Sequence, residues 1–412
     1  MSYNYVVETE CRICGGLLKD VFDLGVMYVS DFIREEDAGE KAPLTLSECT
    51  DCKLVQLKHS IDLDDMYRKY WYRSGLNSSM CRDLENVVKC TEEIYGELQD
   101  GDVIVDIGCN DGTMFDFYTN ENLVKVGYDP ANNLAESALT HCNFFFNDYF
   151  TAEEYTFGKA KIVASIAMFY DLPDPNAFVK DVRDILDDDG VWVMQLMDLY
   201  SMLKINAVDN IGGEHFEYYK LSDIVNLMTK HDMRAFDCEY NKVNGGSLRV
   251  YVCHKDAQYE KTTRFIAAVE EENNYFNSGN QMELLRTRFA DIKKKVCSFI
   301  EMFSDGEKTV YGLAASTKAN TLLQVLGLTN KEIKGIGEIN KDKFGMITPG
   351  SRIPIIPEKE MLNSKPDLIV ILAWHFVETF DKVTEKFIED GGYVLYPLPV
   401  PYVKHKKGNF FL

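Results

Sequence analysis

The chain has 412 residues and a formal charge of −22, and 46% of its residues are hydrophobic. That acidic balance repels the nucleic-acid backbone and anionic membranes and argues against both as partners, although a local basic pocket for a phosphate is compatible with it. The length suits two or three domains. No apolar run approaches a membrane span, and the start Met1-Ser-Tyr-Asn-Tyr-Val-Val-Glu8 lacks a basic and then apolar segment, so a cytoplasmic protein is expected.

Eleven cysteines in such a chain suit metal ligation by a subset better than disulfides. Cys11-Arg-Ile-Cys14 and Cys49-Thr-Asp-Cys52 are two Cys-x-x-Cys knuckles, the arrangement that gathers Cys11, Cys14, Cys49 and Cys52 around one tetrahedral Zn²⁺. A redox dithiol would need a thioredoxin-like strand-helix setting that is absent here. Four thiolates close the coordination sphere, so the metal would fold a small domain and perform no chemistry. The other cysteines are scattered and read as small core residues. Met66-Tyr-Arg-Lys-Tyr-Trp-Tyr-Arg-Ser-Gly75 follows, either a packing cluster between domains or the source of a site phenol, Tyr70 or Tyr72.

The first knuckle, Asp23-Leu-Gly25, Asp31-Phe32, Pro43-Leu44, the second knuckle with Leu54-Val-Gln-Leu57, and Tyr70-Trp-Tyr-Arg-Ser-Gly75 together resemble the zinc-bearing amino-terminal domain of nucleotide-sugar C-methyltransferases. The likeness extends through the rest of the chain.

Val103-Ile-Val-Asp-Ile-Gly-Cys-Asn-Asp-Gly112 is an apolar run ending in an acid and a glycine-rich turn, with a helix start expected at Thr113. Val103 to Ile107 suit a strand buried on both faces, and Gly108 and Gly112 let the backbone turn where a ligand approaches. Val124-Lys-Val-Gly-Tyr-Asp-Pro130 gives a second strand ending in Asp129, where a doubly wound sheet places the carboxylate that holds a ribose diol. The spacing is not Gly-x-Gly-x-x-Gly, so a dinucleotide is not the best fit. Asp106-Ile-Gly-Cys-Asn-Asp-Gly112 instead resembles the first motif of class I methyltransferases. That resemblance implies S-adenosylmethionine held by Asp106, Gly108, Asn110, Asp111, Gly112 and Asp129.

Further strands are expected near Ile162, Val191 and Arg249, with helical patterns from Ala177 to Leu186 and Leu221 to Met228, the alternation of a mostly parallel sheet. Asn210-Ile-Gly-Gly-Glu-His-Phe-Glu-Tyr-Tyr219 follows the Val191 strand, whose carboxyl end should face the methyl donor. In the resembled family a Glu-His pair sits beside the sugar, and Glu214 and His215 match it here. An imidazole of near-neutral pKa can take a proton from carbon next to a ketone, and a neighbouring carboxylate can orient it. The family commonly carries Tyr-His before Glu-His, whereas Gly212 and Gly213 stand here. Asn244-Gly-Gly-Ser-Leu-Arg249 resembles another family stretch, implying substrate contacts from Ser247 and Arg249.

Residues 256–303 read as connecting helices, without the sustained heptad of a coiled coil. Thr309-Val-Tyr-Gly-Leu-Ala-Ala-Ser-Thr-Lys318 then repeats the plan of strand, small-residue turn and helix. Its turn would leave backbone donors for an anion, and Lys318, Asn340 and Arg352 could reach a substrate phosphate.

The expectation is an α/β protein in four stretches. These are a zinc-binding domain (1–76), a class I Rossmann-like methyltransferase domain (77–255), connecting helices (256–303) and a carboxyl-terminal Rossmann-like domain (304–412). The resemblance implies methyl transfer from S-adenosylmethionine to carbon of a nucleotide-linked 4-keto sugar, with His215 as base, Glu214 positioning it and Tyr72 or Tyr70 donating toward the oxyanion. The alternatives are an O- or N-methyltransferase of a related small molecule and a non-catalytic nucleotide-sugar scaffold.

Overall fold

The computed structural model describes residues 5–29, 31–304 and 308–412. Met1 to Asn4, where the amino-terminal reading begins, lie outside the described residues.

The middle of the chain builds a seven-stranded sheet. Its spatial order is Met233–Asn241, Ser247–His254, Leu186–Leu196, Ala160–Ile166, Val103–Ile107, Val124–Tyr128 and Phe144–Phe146. All pairings are parallel except those made by Ser247–His254, which runs against both of its neighbours. This is the topology of class I methyltransferases. Every residue of Val103–Ile107 is buried, as a central strand covered on both faces requires. The order reverses between Val103–Ile107 and Ala160–Ile166, so the crevice beyond the carboxyl ends of these two strands is where an open α/β sheet takes its ligand.

Helices fall where the 3.6-residue period places them, at Pro175–Ile185 and Leu221–Lys230. The helix expected at Thr113 is instead a short 3₁₀ segment, Thr113–Phe117. That side of the sheet is covered by Ser78–Tyr95, which sets Met80, Leu84, Val87 and Val88 against Ile104, Met114 and Phe115. Thr263–Asn277 and Gln281–Ser304 follow as two helices.

The zinc knuckles frame a four-stranded antiparallel sheet ordered Glu217–Tyr218, Val55–Leu57, Lys41–Cys49 and Leu18–Tyr28. One strand of this sheet is therefore lent by the middle of the chain, two residues after His215: Gln56 pairs with Glu217 and Val55 with Tyr218. Asn176 Nδ2 also donates to the carbonyls of Arg12 and Ile13 inside the first knuckle.

The carboxyl-terminal sheet has the order Ile355–Pro357, Ile336–Glu338, Val310–Leu313, Leu368–Ile371, Tyr393–Tyr396, Tyr402–Lys404 and Phe410–Phe411, its first five strands parallel. Its order reverses between Val310–Leu313 and Leu368–Ile371. The helix that follows the first of these opens with Thr317 and Lys318, and the loop after the second carries Trp374 and His375. The side chain of Gln324, on the helix Thr317–Leu326, holds the backbone of Tyr28 at both N–H and C=O, so the amino-terminal sheet touches this unit as well.

Candidate active site

The sulfurs of Cys11, Cys14, Cys49 and Cys52 all lie within 4.8 Å of one another, with Cys11–Cys52 at 3.5 Å and Cys14–Cys49 at 3.4 Å. A tetrahedral zinc–thiolate site with bonds of about 2.3 Å has sulfur–sulfur edges of about 3.8 Å, so the four thiolates fit that ion. Among the described residues these four thiolates alone gather there, and four thiolates fill a tetrahedral sphere, so the zinc they would hold is structural.

At the glycine-rich turn, Gly112 takes φ +82°, and a Cβ there would stand 3.1 Å from the backbone of Ala138. Asp129, at the end of the neighbouring strand, is nearly buried and accepts Asn110 N–H at 2.8 Å on one carboxylate oxygen and Ala131 N–H at 2.9 Å on the other. Each oxygen keeps a second lone pair for a ligand hydroxyl. Burial raises its pKa to about 6. Asp106 is deeper still: desolvation, and then the nearby Asp129, push it to about 8. Its Oδ1 has no hydrogen-bond partner among the described residues.

Asn110 and Asp111 use their side chains differently. The Asn110 amide accepts Ser74 N–H at 2.9 Å and donates to Tyr72 O at 3.1 Å, and Asp111 Oδ2 accepts Gly75 N–H at 2.8 Å. The aromatic stretch of the amino-terminal part is thereby clamped onto the turn.

The two tyrosines of that stretch part company. Burial raises Tyr70 well above the usual phenol range, with the carboxylates of Glu214, Asp171 and Asp129 adding to the shift. Tyr72 instead faces Asn77 and Asp111. Tyr67, which the sequence did not single out, donates to Glu214 O at 3.4 Å and packs against Tyr70.

Glu214 and His215 lie in the loop before the borrowed strand, with Glu214 Oε1 3.7 Å from His215 Nε2. His215 Nδ1 donates to Asn210 O at 2.7 Å, which fixes the neutral tautomer with Nε2 as acceptor. Its ring meets Tyr170 edge to face at 4.8 Å. Desolvation lowers His215 to about 4 and raises Glu214 to about 7, the latter offset in part by Lys318 and a hydrogen bond from Thr317. A Cβ on Gly213 would stand 2.9 Å from Ile61 Cδ1, so an imidazole at that position requires Ile61 to move.

Lys318 reaches into this site from the other sheet. Its Nζ donates to Asn244 O at 2.8 Å, and burial lowers its pKa against the opposing pull of Asp209 and Glu214. With Ser247, Asn244, Gln195, Tyr170 and Ile166 it lines a cavity of about 40 Å³ at the strand ends. Asp209, its Oδ2 held by Trp374 Nε1 at 2.8 Å, and the half-buried His375 complete the surround.

Three predicted substrate contacts point elsewhere. Arg249 spends its guanidinium on Gln195, Asn86 and Asp83 inside the middle sheet. Arg352 donates to the carbonyls of Asp37 and Glu35. Asn340 accepts Asp342 N–H and caps its own turn. The Ala315 N–H expected to await an anion is taken at 3.0 Å by the chain's own Glu338.

A class I sheet with its glycine-rich turn and ribose-side acid, joined to a Cys₄ module and a buried Glu-His pair, defines an S-adenosylmethionine-dependent methyltransferase with structural zinc. Family models match in series: a zinc binding domain at residues 11–67, a methyltransferase domain at 76–235 and a C-methyltransferase C-terminal domain at 242–399. The chain is 31% identical over 409 residues to the C-methyltransferase NovU of Streptomyces niveus, covering 96% of each. It belongs to this C-methyltransferase family. Among solved structures, the magnesium protoporphyrin IX methyltransferase of Synechocystis PCC 6803 aligns over 42% of this chain and 79% of its own, with 12% identity and a TM-score of 0.32. No helix among the described residues is long and apolar enough to cross a membrane.

Proposed function

We propose that the chain transfers a methyl group from S-adenosylmethionine to carbon beside the ketone of a nucleotide-linked 4-keto sugar, through an enolate. The observation that carries this reading is the buried Glu214–His215 pair, whose imidazole is neutral with a free Nε2 acceptor. A ketone acidifies the neighbouring C–H, and His215 Nε2 takes that proton. Glu214, when ionised, favours the imidazolium that forms and holds the ring. Tyr70, rather than Tyr72, is the phenol on this side and donates toward the developing oxyanion. When bound, S-adenosylmethionine supplies an electrophilic methyl group; Asp129 would hold its ribose hydroxyls, beside the backbone of Gly108 to Gly112. The sugar would lie between the two sheets near Ser247 and Lys318, with residues 77–255 acting as the catalytic unit.

Transfer to oxygen or nitrogen is the second reading, favoured by Gly212 and Gly213, which leave out the phenol and imidazole common in the family. Purified protein is incubated with S-adenosylmethionine and a panel of nucleotide-linked 4-keto sugars, with products read by mass spectrometry and proton NMR. A product methylated on carbon, with the C–H next to the ketone gone, is expected. A methyl on oxygen or nitrogen with that proton retained would overturn the proposal.

A further inference from the structure

We propose that Lys318, contributed by the carboxyl-terminal sheet, is a further catalytic residue: its ammonium faces the ketone oxygen of the substrate and holds the negative charge that oxygen acquires. The inference rests on the enolate reading and adds its charged electrophile.

Lys318 follows a turn whose anion site is already filled, since Glu338 accepts Ala315 N–H at 3.0 Å and Ser316 caps the helix through Ala319 N–H. The lysine is therefore not needed to hold a phosphate at that turn. It extends across the junction between the two sheets to Asn244 O, a bond that uses one of its three protons. The side chain is half-buried and lines the cavity, so a donor remains for a polar group there. Tyr170 lines the same cavity and carries His215 on its ring. Lys318 also lies near enough to His215 to act on it through charge, so base and cation are neighbours. Asp209 and Glu214 act on the ammonium through charge, without a hydrogen bond from it to either. Asp209, which lies within charge range of Lys318, keeps a buried Oδ1 without a partner among the described residues.

The electron count assigns the need. The proton beside the ketone goes to His215 Nε2, its C–H pair becomes the C=C bond, and the carbonyl π pair moves to oxygen. On attack that oxygen pair reforms C=O, the C=C pair forms the bond to the methyl carbon, and the pair of the broken carbon–sulfur bond is left on sulfur. Between the two events a full charge sits on oxygen in a dry site, where an ammonium stabilises it far more than in water. Gly212 and Gly213 supply no side-chain donor for it.

The test uses the full chain, Lys318→Met, Lys318→Gln and Lys318→Arg, with dTDP- or UDP-linked 4-keto-6-deoxyglucose in heavy water. Exchange of the proton beside the ketone is followed by NMR, methyl transfer by mass spectrometry and S-adenosylmethionine affinity by calorimetry. Removing one oxyanion donor should lower exchange and kcat by about 100- to 1,000-fold in the Met and Gln variants. Donor affinity should be kept, KM changed by less than about tenfold, and part of the rate restored by Arg. Should the Met variant fail to bind S-adenosylmethionine, the Gln variant carries the comparison. Parental exchange at saturating substrate with only KM raised would overturn the proposal and leave Lys318 a binding contact. If the parental enzyme neither exchanges the proton nor methylates carbon, the enolate reading falls first, and this inference with it.

Discussion

Glu214 Oε1 stands 3.7 Å from His215 Nε2, and the side chains are only 12% and 9% exposed. A proton placed on Nε2 therefore arrives beside a carboxylate in a medium that screens little. His215→Asn keeps a hydrogen-bonding group but cannot take the proton, so it should lose both deuterium exchange and methyl transfer, each by about 100-fold or more. Cofactor affinity, read by calorimetry, should be parental. Glu214→Gln should be milder. Parental turnover in His215→Asn would move the base elsewhere, with Tyr70 the next to test.

Activity should depend on pH through Glu214. His215, lowered to about 4, is neutral across the working range, whereas Glu214, raised to about 7, is protonated below that value and ionised above it. Exchange at saturating substrate should rise from pH 5.5 to 8.5 with a midpoint near the Glu214 value, and Glu214→Gln should flatten this limb. A profile unchanged by that substitution would show that another group sets it.

Stability should run the opposite way. Asp106, Asp198 and Glu214 are raised by burial to about 8, 7 and 7, from ordinary values of 3.8, 3.8 and 4.5. The folded state binds more protons than the unfolded state between those limits, so their contribution is full below pH 4 and lost as pH rises through 7 and 8. The Tm of ligand-free protein, measured by calorimetry, should fall between pH 6 and 8.5. A rising Tm over that interval would contradict the burial of these acids.

Asp129→Ala should weaken S-adenosylmethionine binding by about 1.5–3 kcal/mol, the range for hydrogen bonds to a charged group. Because the carboxylate also holds Asn110 and Ala131 N–H, Asp129→Asn is the better control: it can keep part of that backbone grip and should lose less. Equal affinity in both variants and the parent would place the ribose elsewhere.

Purified protein should carry about one zinc per chain, as a four-thiolate site dictates. Cys49→Ser, at a buried ligand, should lose both the metal and soluble expression. Metal analysis of the purified chain decides it: a fully folded variant without zinc would refute the structural role.

The sequence made the repeating parts legible. Val103 to Ile107 could be read because a strand covered on both faces is a short, mostly apolar run, Val124 to Tyr128 because its short strand ends at an acid where a ligand-binding sheet places one, and the knuckles because thiolate spacing has few other uses. What could not be read was the direction in which a side chain reaches after the chain has folded. Lys318 lies beside a turn that suits a phosphate, yet its stem carries Nζ to Asn244 on another sheet. Arg249 looks like a free cation until Asp83 and Gln195 meet it. Tyr67, Tyr170 and Asp209 carried no motif: Tyr170 meets His215 from within its own domain, and Tyr67 reaches Glu214 from the amino-terminal part. The short 3₁₀ segment at Thr113 replaced a helix because a helix from earlier in the chain already covers that face, a tertiary choice that local pattern does not encode.

The borrowed strand has a consequence for how the enzyme answers its surroundings. Phe216, next to His215, accepts Leu57 N–H at 2.7 Å through its carbonyl, and Leu54 O accepts the N–H of the zinc ligand Cys49 at 2.8 Å. A handful of backbone bonds therefore connects the ion to the loop that presents the base, although the metal touches no reactant. Zinc supply should therefore bear on catalysis as well as on folding: chains made without the ion should lose soluble yield, and whatever stays folded should hold the imidazole loosely.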